Sequence, residues 1–166
     1  DCLLSRGLGD VYKRQVIQLH LGGGTPNFLD AEAMTTLIDG LRRRFDFSCS
    51  AERDFSIELD PRFIETRDVA MLARLGFNRA SLGVQDFDPS VQASINRVQG
   101  VQQTLDILRA CRDRGMRSVN VDLIYGLPGQ SQEGFGRTLE QVLALRPDRL
   151  AVYGYCLLYT SPSPRD

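Results

Sequence analysis

The stretch SVNVDL at Ser118–Leu123 alternates strictly between polar and apolar residues. Successive side chains of a β-strand point to opposite faces of the sheet, so this stretch predicts a strand with one polar and one apolar face. A parallel strand that is covered on both faces would instead be apolar on both. The polar face therefore favours a wet or ligand-filled interior, as in a barrel or part of a barrel, over a flat doubly wound sheet.

Helical stretches separate this run from four other short β-like runs. Strands are predicted at Val16–Leu21, Phe55–Leu59, Arg79–Val84, Ser118–Ile124 and Arg149–Tyr153. Helices are predicted after the cap residue Asp30 and over Thr66–Leu75, Val101–Arg114 and Gln132–Leu145. Regular alternation of strand and helix is typical of right-handed βαβ units. The predicted fold class is therefore α/β, a parallel (β/α) partial barrel of the TIM type that is truncated at both ends.

The composition excludes several classes of protein. The chain has 166 residues, of which 42% are hydrophobic and 25% charged, with a net charge of −1. This balance is typical of a globular domain and does not favour binding to nucleic acid or to an anionic membrane. No apolar run approaches the roughly 20 residues of a membrane-spanning helix, and the first residues lack the pattern of a signal peptide. We therefore expect a cytoplasmic protein, and we expect a monomer.

The two ends of the chain read as foreign to the rest. The segments DVYKRQ at 10–15 and CLLYTS at 156–161 can be encoded by complementary strands of one DNA string, which resembles a transposase adapter. We therefore expect adapter-derived tails at residues 1–15 and 156–166, with a pair of disordered tails as the alternative. One partial domain remains, at 16–155. Its two cysteines, Cys49 and Cys111, have neither the context of a disulfide nor the spacing of metal ligands.

Polar residues collect at the C-terminal ends of the predicted strands, where barrel enzymes carry their sites. The loop GGGTP at Gly22–Pro26 follows the first strand, and its glycines would let a ligand approach the backbone closely. A tight turn is the alternative for this loop. Glu58, Gln85 and Asp122 end later strands, where each can bind a ligand or serve as a structural hydrogen-bond partner.

Three further polar residues are given structural roles by their local sequence alone. Arg97 reads as a solvated arginine, and Asp60, which precedes Pro61, reads as a turn residue. His20, the only histidine, is expected to be a hydrogen-bonded residue of the polar interior. The pattern thus predicts a site for a small polar molecule, and it names no reaction.

Five motifs in order resemble the radical S-adenosylmethionine (SAM) superfamily, and within it the oxygen-independent coproporphyrinogen III oxidases. They are GGGTP at 22–26, IELDPR at 57–62, GVQDF at 83–87, INRVQ at 95–99 and DLIYGLP at 122–128. The resemblance covers essentially all of Val16–Tyr155. A paralogous group of haem chaperones is the alternative. Those proteins usually have Ser where Asp86 stands, and they do not usually keep both Asn96 and Gln99.

The resemblance implies the (β/α) core of the radical SAM superfamily and a role in haem biosynthesis. The implied reaction is the oxidative decarboxylation of two propionates of coproporphyrinogen III, which gives protoporphyrinogen IX. Its cofactors would be a [4Fe–4S] cluster and two SAM molecules, with an electron donor that the sequence does not identify. The cysteines of the cluster are expected upstream of Val16. The chain alone is therefore expected to be inactive, and none of its residues is assigned as catalytic or as a metal ligand.

The resemblance also implies which residues bind the two SAM molecules. The cluster-bound SAM would be held by Gly23 and Glu58. The second SAM would be held by Gly24, Thr25, Gln85, Arg97 and Asp122. Among these, Arg97 would pair with the carboxylate of the second SAM.

Overall fold

The computed structural model describes residues 15–156. Its five strands form a single parallel sheet. The strands lie side by side in the order in which they occur in the sequence. They are β1 (Gln18–Leu21), β2 (Asp54–Leu59), β3 (Arg79–Gln85), β4 (Ser118–Tyr125) and β5 (Arg149–Gly154). At least one helix connects each strand to the next. The predicted βαβ units and the sequential strand order are therefore confirmed.

Four of the helices follow the predicted stretches closely, and one short helix and two 3₁₀ turns occur in addition. They are α1 (Ala31–Arg42), α2 (Thr66–Arg74), α3 (Pro89–Ser94), α4 (Val101–Asp113) and α5 (Gln132–Leu145). The Asp30 carboxylate accepts a hydrogen bond from the Ala33 N–H at 2.8 Å, which caps α1 as predicted. Helix α3 and two 3₁₀ turns, Pro26–Phe28 and Pro61–Phe63, were not predicted because segments this short show no helical periodicity.

The two faces of the sheet differ in the way that the alternation predicts. Val119, Val121 and Leu123 of β4 are 0% exposed and share one core with helix residues such as Ile38 and Leu108. The opposite face lines a cavity of about 420 Å³, to which β4 contributes Asn120 and Asp122. All five strands contribute to this cavity, so the sheet forms a partial barrel with a polar interior, and the predicted fold class is confirmed.

The two predicted tails fall almost entirely outside the described residues. Only Gln15 and Cys156 of those tails lie within residues 15–156. Among the helices of this described range, none combines the length and the apolar character that a membrane crossing requires.

Candidate functional site

The glycine loop after β1 lies against the carboxylate of Glu58. The Gly23 N–H donates a hydrogen bond to Glu58 Oε2 at 2.9 Å. Gly23 and Gly24 have φ values of 76° and 57°, a region that favours glycine. A Cβ atom on Gly22 would lie 2.8 Å from Glu58 Oε1, closer than side chains approach. The loop therefore needs glycine for its turn and also for close contact with the end of β2.

His20 belongs to the polar interior, as predicted. Its Nδ1 lies 2.9 Å from Ser56 Oγ, and its Nε2 lies 3.4 Å from Glu58 Oε1. The imidazole thus contacts Oε1 of Glu58, whereas the Gly23 N–H contacts Oε2.

A small cavity of about 120 Å³ brings together six of the seven residues that the resemblance assigns to SAM. Its lining includes Gly24, Thr25, Gln85, Arg97 and Asp122. Glu58 lines it too, whereas Gly23 contacts it only through its hydrogen bond to Glu58. We refer to this space as the Arg97 cavity. Glu58, Ser81 and Asp122 also line the cavity of about 420 Å³, so the two spaces share one wall.

Asp122 forms the acidic wall of the Arg97 cavity. Its carboxylate accepts hydrogen bonds from Ser81 Oγ at 2.7 Å and from Asn120 Nδ2 at 2.6 Å. Burial raises the pKa of Asp122 above its ordinary value, and the hydrogen bonds from Ser81 and Asn120 offset this only in part. The nearby charge of Glu58 raises the pKa further. Two carboxylates on this wall can accept hydrogen bonds from an ammonium group or from hydroxyls.

Arg97 forms the basic wall, and its interpretation as a solvated arginine was wrong. Its side chain is only 20% exposed, with Nη1 at 3.0 Å from Asp60 Oδ2 and Nη2 donating to the Gly83 carbonyl at 2.9 Å. Burial lowers the pKa of the Arg97 guanidinium, and the charge of Asp60 opposes this shift. Among the described residues, the buried Nε of Arg97 has no hydrogen-bond partner. One donor of the Arg97 guanidinium is therefore unused.

The contact between Arg97 and β3 depends on the absence of a side chain at Gly83. A Cβ atom there would lie 2.8 Å from Arg97 Nη2, too close for the guanidinium to stay in place. The next residues leave regular strand geometry, because the pairing of β3 with β4 shifts between Gly83 and Gln85. Gln85 has a φ of 68°, which is uncommon for a residue with a side chain. This irregularity lies where β3 meets the Arg97 cavity. Strand irregularities of this kind are common next to functional sites.

Asp60 is the functional residue that local sequence reasoning missed. The turn prediction was right, since Asp60 caps a 3₁₀ turn by accepting from the Arg62 N–H at 3.0 Å. The side chain is only 4% exposed, however, and it also forms ion pairs with Arg62 and Arg97. Burial alone would raise the pKa of Asp60, but the hydrogen bonds from Arg62 and the charges of both arginines lower it below its ordinary value. The signal was present in the motif IELDPR, which places Arg62 two residues after this carboxylate.

A buried network holds the loops beside the Arg97 cavity. Asp86 is 0% exposed and accepts from the Thr138 hydroxyl of α5, from Gln130 Nε2 at 2.5 Å and from the Asp88 N–H at 2.8 Å. Gln130 also accepts from the Gly126 N–H at 2.6 Å. These contacts connect the segment after β3 to the segment after β4.

Gln92 and Gln99 continue this network towards Arg97. Gln92 Nε2 donates to the backbone carbonyls of Asp86 and Gln99, both at 2.9 Å. Gln99 in turn donates from its N–H to Gln92 Oε1 at 3.1 Å and from Nε2 to the Val84 carbonyl at 3.3 Å. Asn96, between these two glutamines, adopts a φ of 52°. Hydrogen bonds of Gln92, before Arg97, and of Gln99, after it, thus fix both ends of the loop that carries Arg97.

The described part of the chain offers no ligand set for an iron–sulfur cluster. Within residues 15–156, no three His, Cys, Asp or Glu side chains are grouped so that they could hold a metal ion. Cys49 and Cys156 are exposed free thiols, and Cys111 is a buried one. Burial raises the pKa of the Cys111 thiol to about 12, so it stays protonated and unreactive.

Comparison with known proteins decides the family. The family model described as the radical SAM superfamily matches residues 6–142. The chain belongs to this superfamily. A radical SAM methyltransferase from Kitasatospora setae, solved with cobalamin and a [4Fe–4S] cluster bound, shares the fold at a TM-score of 0.67 and 18% identity. That structure covers 83% of this chain, which covers 26% of it. Membership implies SAM and a [4Fe–4S] cluster as cofactors.

Other radical SAM proteins are much more similar in sequence. The chain is 46% identical over 147 residues to the oxygen-independent coproporphyrinogen III oxidase of Pseudomonas aeruginosa, covering 88% of this chain and 32% of that protein. It is 47% identical to the Escherichia coli protein of the same name, covering 89% of this chain and 32% of that protein. The solved coproporphyrinogen III oxidase of Escherichia coli superposes with a TM-score of 0.83 at 46% identity, over 87% of this chain and 33% of that one. The chain thus spans about a third of the length of these relatives.

The Arg97 cavity has the charges that the amino-acid end of SAM requires. A free amino-acid group presents one carboxylate and one ammonium, and the cavity has a guanidinium on one wall and carboxylates on the other. Its volume of about 120 Å³ is roughly that of four waters, enough for such a head group and too small for a nucleoside. The adjoining cavity of about 420 Å³ provides further space. The residues present therefore fit SAM.

Proposed function

We propose that the complete protein containing this chain is an oxygen-independent coproporphyrinogen III oxidase. The observation that carries this proposal is the Arg97 cavity, where Arg97 and Asp122 line one space at the C-terminal edge of the sheet. Relatives that carry this name are 44–48% identical over 138–147 aligned residues. The proposed substrate is coproporphyrinogen III, and the proposed product is protoporphyrinogen IX.

The proposed roles of the residues are those that the resemblance implies, and the contacts of these residues support them. Glu58 and the Gly23 backbone hold the cluster-bound SAM, since the glycine loop meets the Glu58 carboxylate at the edge of the larger cavity. Arg97 pairs with the carboxylate of a second SAM, because its unpaired Nε and its burial favour an anionic partner. The other residues proposed for this second molecule line the same cavity: Gly24, Thr25, Gln85 and Asp122.

In this proposal the cofactors supply the one-electron chemistry, and the chain supplies position and protection. When bound, SAM and the cluster provide for removal of a hydrogen atom from each of two propionates, which then lose carbon dioxide and one electron to become vinyl groups. Buried charges on the polar face orient SAM, and the enclosed interior limits the access of water. The transfer of an electron to the cluster, and of an electron away from the substrate, requires groups that lie outside residues 15–156.

Several coarser features belong to the same proposal. We propose that residues 16–155 are part of one (β/α) domain and that the tails at 1–15 and 156–166 are adapter-derived. We also propose that the protein works as a cytoplasmic monomer without nucleic-acid or membrane partners. The oxidase is favoured over the haem-chaperone alternative by Asp86, Asn96 and Gln99. Asp86 and Gln99 are buried in the network beside Arg97, and the Asn96 carbonyl accepts a hydrogen bond from Arg62 at 3.1 Å.

The test is an anaerobic assay of the complete protein with reconstituted cluster, SAM, a chemical reductant and coproporphyrinogen III. We expect protoporphyrinogen IX and 5′-deoxyadenosine, and we expect Glu58→Gln to reduce the formation of both. Cys49→Ser, at an exposed position away from the cavity, is the matched control and should leave both products unchanged. A protein that binds haem tightly and forms no protoporphyrinogen would replace this proposal with the haem-carrier function.

A further inference from the structure

Two arginines share the single carboxylate of Asp60, and they share it unequally. Arg62 contacts both oxygens, with Nε at 3.1 Å from Oδ1 and Nη2 at 2.8 Å from Oδ2. Arg97 makes one contact, from Nη1 to Oδ2 at 3.0 Å. A forked contact of a guanidinium with a carboxylate is the stronger arrangement. Asp60 is therefore neutralised chiefly by Arg62.

The three side chains together carry one net positive charge, and their positions decide where that charge acts. Arg97 lines the Arg97 cavity, whereas Arg62 does not. Arg62 is held elsewhere, because its Nη1 donates to the Asn96 carbonyl at 3.1 Å and its guanidinium lies 4.9 Å from the centre of the Phe63 ring. Asn27 also fixes Asp60, accepting from its N–H at 2.9 Å and donating to its carbonyl at 3.1 Å. The positive charge that Asp60 leaves uncompensated thus borders the cavity.

We infer that Arg62 is a positioning residue for ligand binding: by neutralising Asp60, it leaves the charge of Arg97 available to the α-carboxylate of a zwitterionic ligand such as the methionyl end of SAM. This inference rests on the proposed function, in which Arg97 pairs with that carboxylate. Without Arg62, the Asp60 carboxylate would turn wholly to Arg97, and the cluster would lose its net charge.

The test measures the equilibrium affinity of the complete, cluster-loaded protein for SAM. The relevant site is the one at which Arg97→Gln weakens SAM binding. Arg62→Gln should weaken SAM at this site about tenfold, because one charge interaction in a desolvated cavity is lost. The affinity for decarboxylated SAM, which lacks the α-carboxylate, should stay unchanged. The double variant Asp60→Asn/Arg62→Gln restores the net positive charge and should return SAM affinity to within about threefold of the parent protein.

Two further variants serve as controls. Arg62→Lys keeps the charge and should bind SAM nearly as the parent does. Arg67→Gln removes a positive charge from an exposed site, where the side chain is 78% exposed, and should change nothing. If Arg62→Gln does not fold, the double variant and Arg62→Lys carry the test, and failure of both to bind SAM overturns the inference.

The possible failures can be told apart. Full SAM affinity in Arg62→Gln, together with weak binding in Arg97→Gln, overturns the role of Arg62 and leaves the proposed function intact. Weak binding in Arg62→Gln without recovery in the double variant, or equal loss of decarboxylated SAM, shows that Arg62 acts only on the fold. Full affinity in Arg97→Gln instead overturns the proposed role of Arg97.

Discussion

The two ends of the sheet each carry arginines and a cavity, but they use charge in opposite ways. At the N-terminal ends of the strands, Arg42–Arg44 and Arg53 line a cavity of about 840 Å³. At the C-terminal ends, Arg97 lines one of about 120 Å³. Arg43 and Arg44 are exposed, and Arg44 donates to the Gly40 carbonyl of its own helix at 3.0 Å. Arg97 and Asp60 are buried and reach partners on other elements.

The difference teaches that cavity volume and desolvation of charge do not go together in this molecule, since the smaller cavity has the less exposed arginine. Exposed ion pairs contribute about 0–1 kcal/mol, so Arg43 and Arg44 need no explanation beyond a solvated helix end, whereas Arg42 donates a hydrogen bond to the Leu75 carbonyl at 2.8 Å. Charges that leave water cost several kcal/mol unless they are well paired. The cluster of Asp60, Arg62 and Arg97 leaves one positive charge in excess, and this charge borders the cavity that Glu58 and Asp122 also line.

The largest expected effect comes from removing the charge at each end in turn. In the complete protein, Arg97→Ala should weaken SAM binding at the Arg97 cavity at least about hundredfold, because the ligand carboxylate loses a desolvated partner. Protoporphyrinogen formation should be lost, while the absorption of the cluster stays unchanged. Arg43→Ala is the matched control at the other end and should keep both SAM affinity and turnover. Equal losses in the two variants would break the comparison.

The second effect concerns stability. Asp60→Asn removes the anion between two buried guanidinium groups, and we expect the free energy of unfolding to fall by about 2 kcal/mol. Asp46→Asn changes an exposed carboxylate beside the larger cavity and should cause no measurable change. Chemical denaturation at neutral pH measures both variants. An unchanged Asp60→Asn protein would show that the buried cluster is not held together by charge.

The smallest effect is a difference in pH dependence between Asp60 and Asp122, two of the three carboxylates that line the Arg97 cavity. The pKa of Asp60 is lowered in the folded protein, so its contribution to stability is present above the ordinary Asp pKa and is lost as the pH falls through the lowered value. The pKa of Asp122 is raised, chiefly by burial, so the folded protein loses stability as the pH rises through the window above the ordinary value of 3.8.

Substitution with Asn should separate these two contributions. Denaturation between about pH 3 and pH 7 should show that Asp122→Asn gains stability over the parent as the pH rises, whereas Asp60→Asn approaches the parent as the pH falls. The expected differences for Asp122→Asn are small, on the order of 1 kcal/mol at neutral pH. A parallel response of the two variants would contradict the opposite pKa shifts.

Much of this architecture could be predicted from the sequence because it depends on local periodicity. The alternation at Ser118–Leu123 predicted both the strand β4 and the face on which Asp122 lies, and the order of strands and helices predicted the parallel sheet. Short elements such as α3 could not be predicted, since six residues are too few for a helical period to show. Glu58, Gln85 and Asp122 could be predicted as candidate site residues from their places at strand ends, whereas Arg97 was recognised by its motif alone.

The environment of Arg97 could not be predicted from its neighbours in the sequence. Its partners are Asp60 and the Gly83 carbonyl, which lie far from it along the chain, and only the folded sheet brings them together. For the same reason Asp60 read as a turn residue, although it also balances two arginines. Residues that act through long-range charge pairs leave no local signal, whereas strand-end carboxylates such as Glu58 do.

A crystal structure of the complete protein with SAM tests the central claim most directly. The account predicts a SAM carboxylate within hydrogen-bonding distance of the Arg97 guanidinium, the α-ammonium facing Asp122 or Glu58, and Arg62 still paired with Asp60. It also predicts no ligand among Arg42, Arg43 and Arg44. SAM bound only away from the Arg97 cavity, with Arg97 engaged solely by Asp60 and Gly83, would contradict the account.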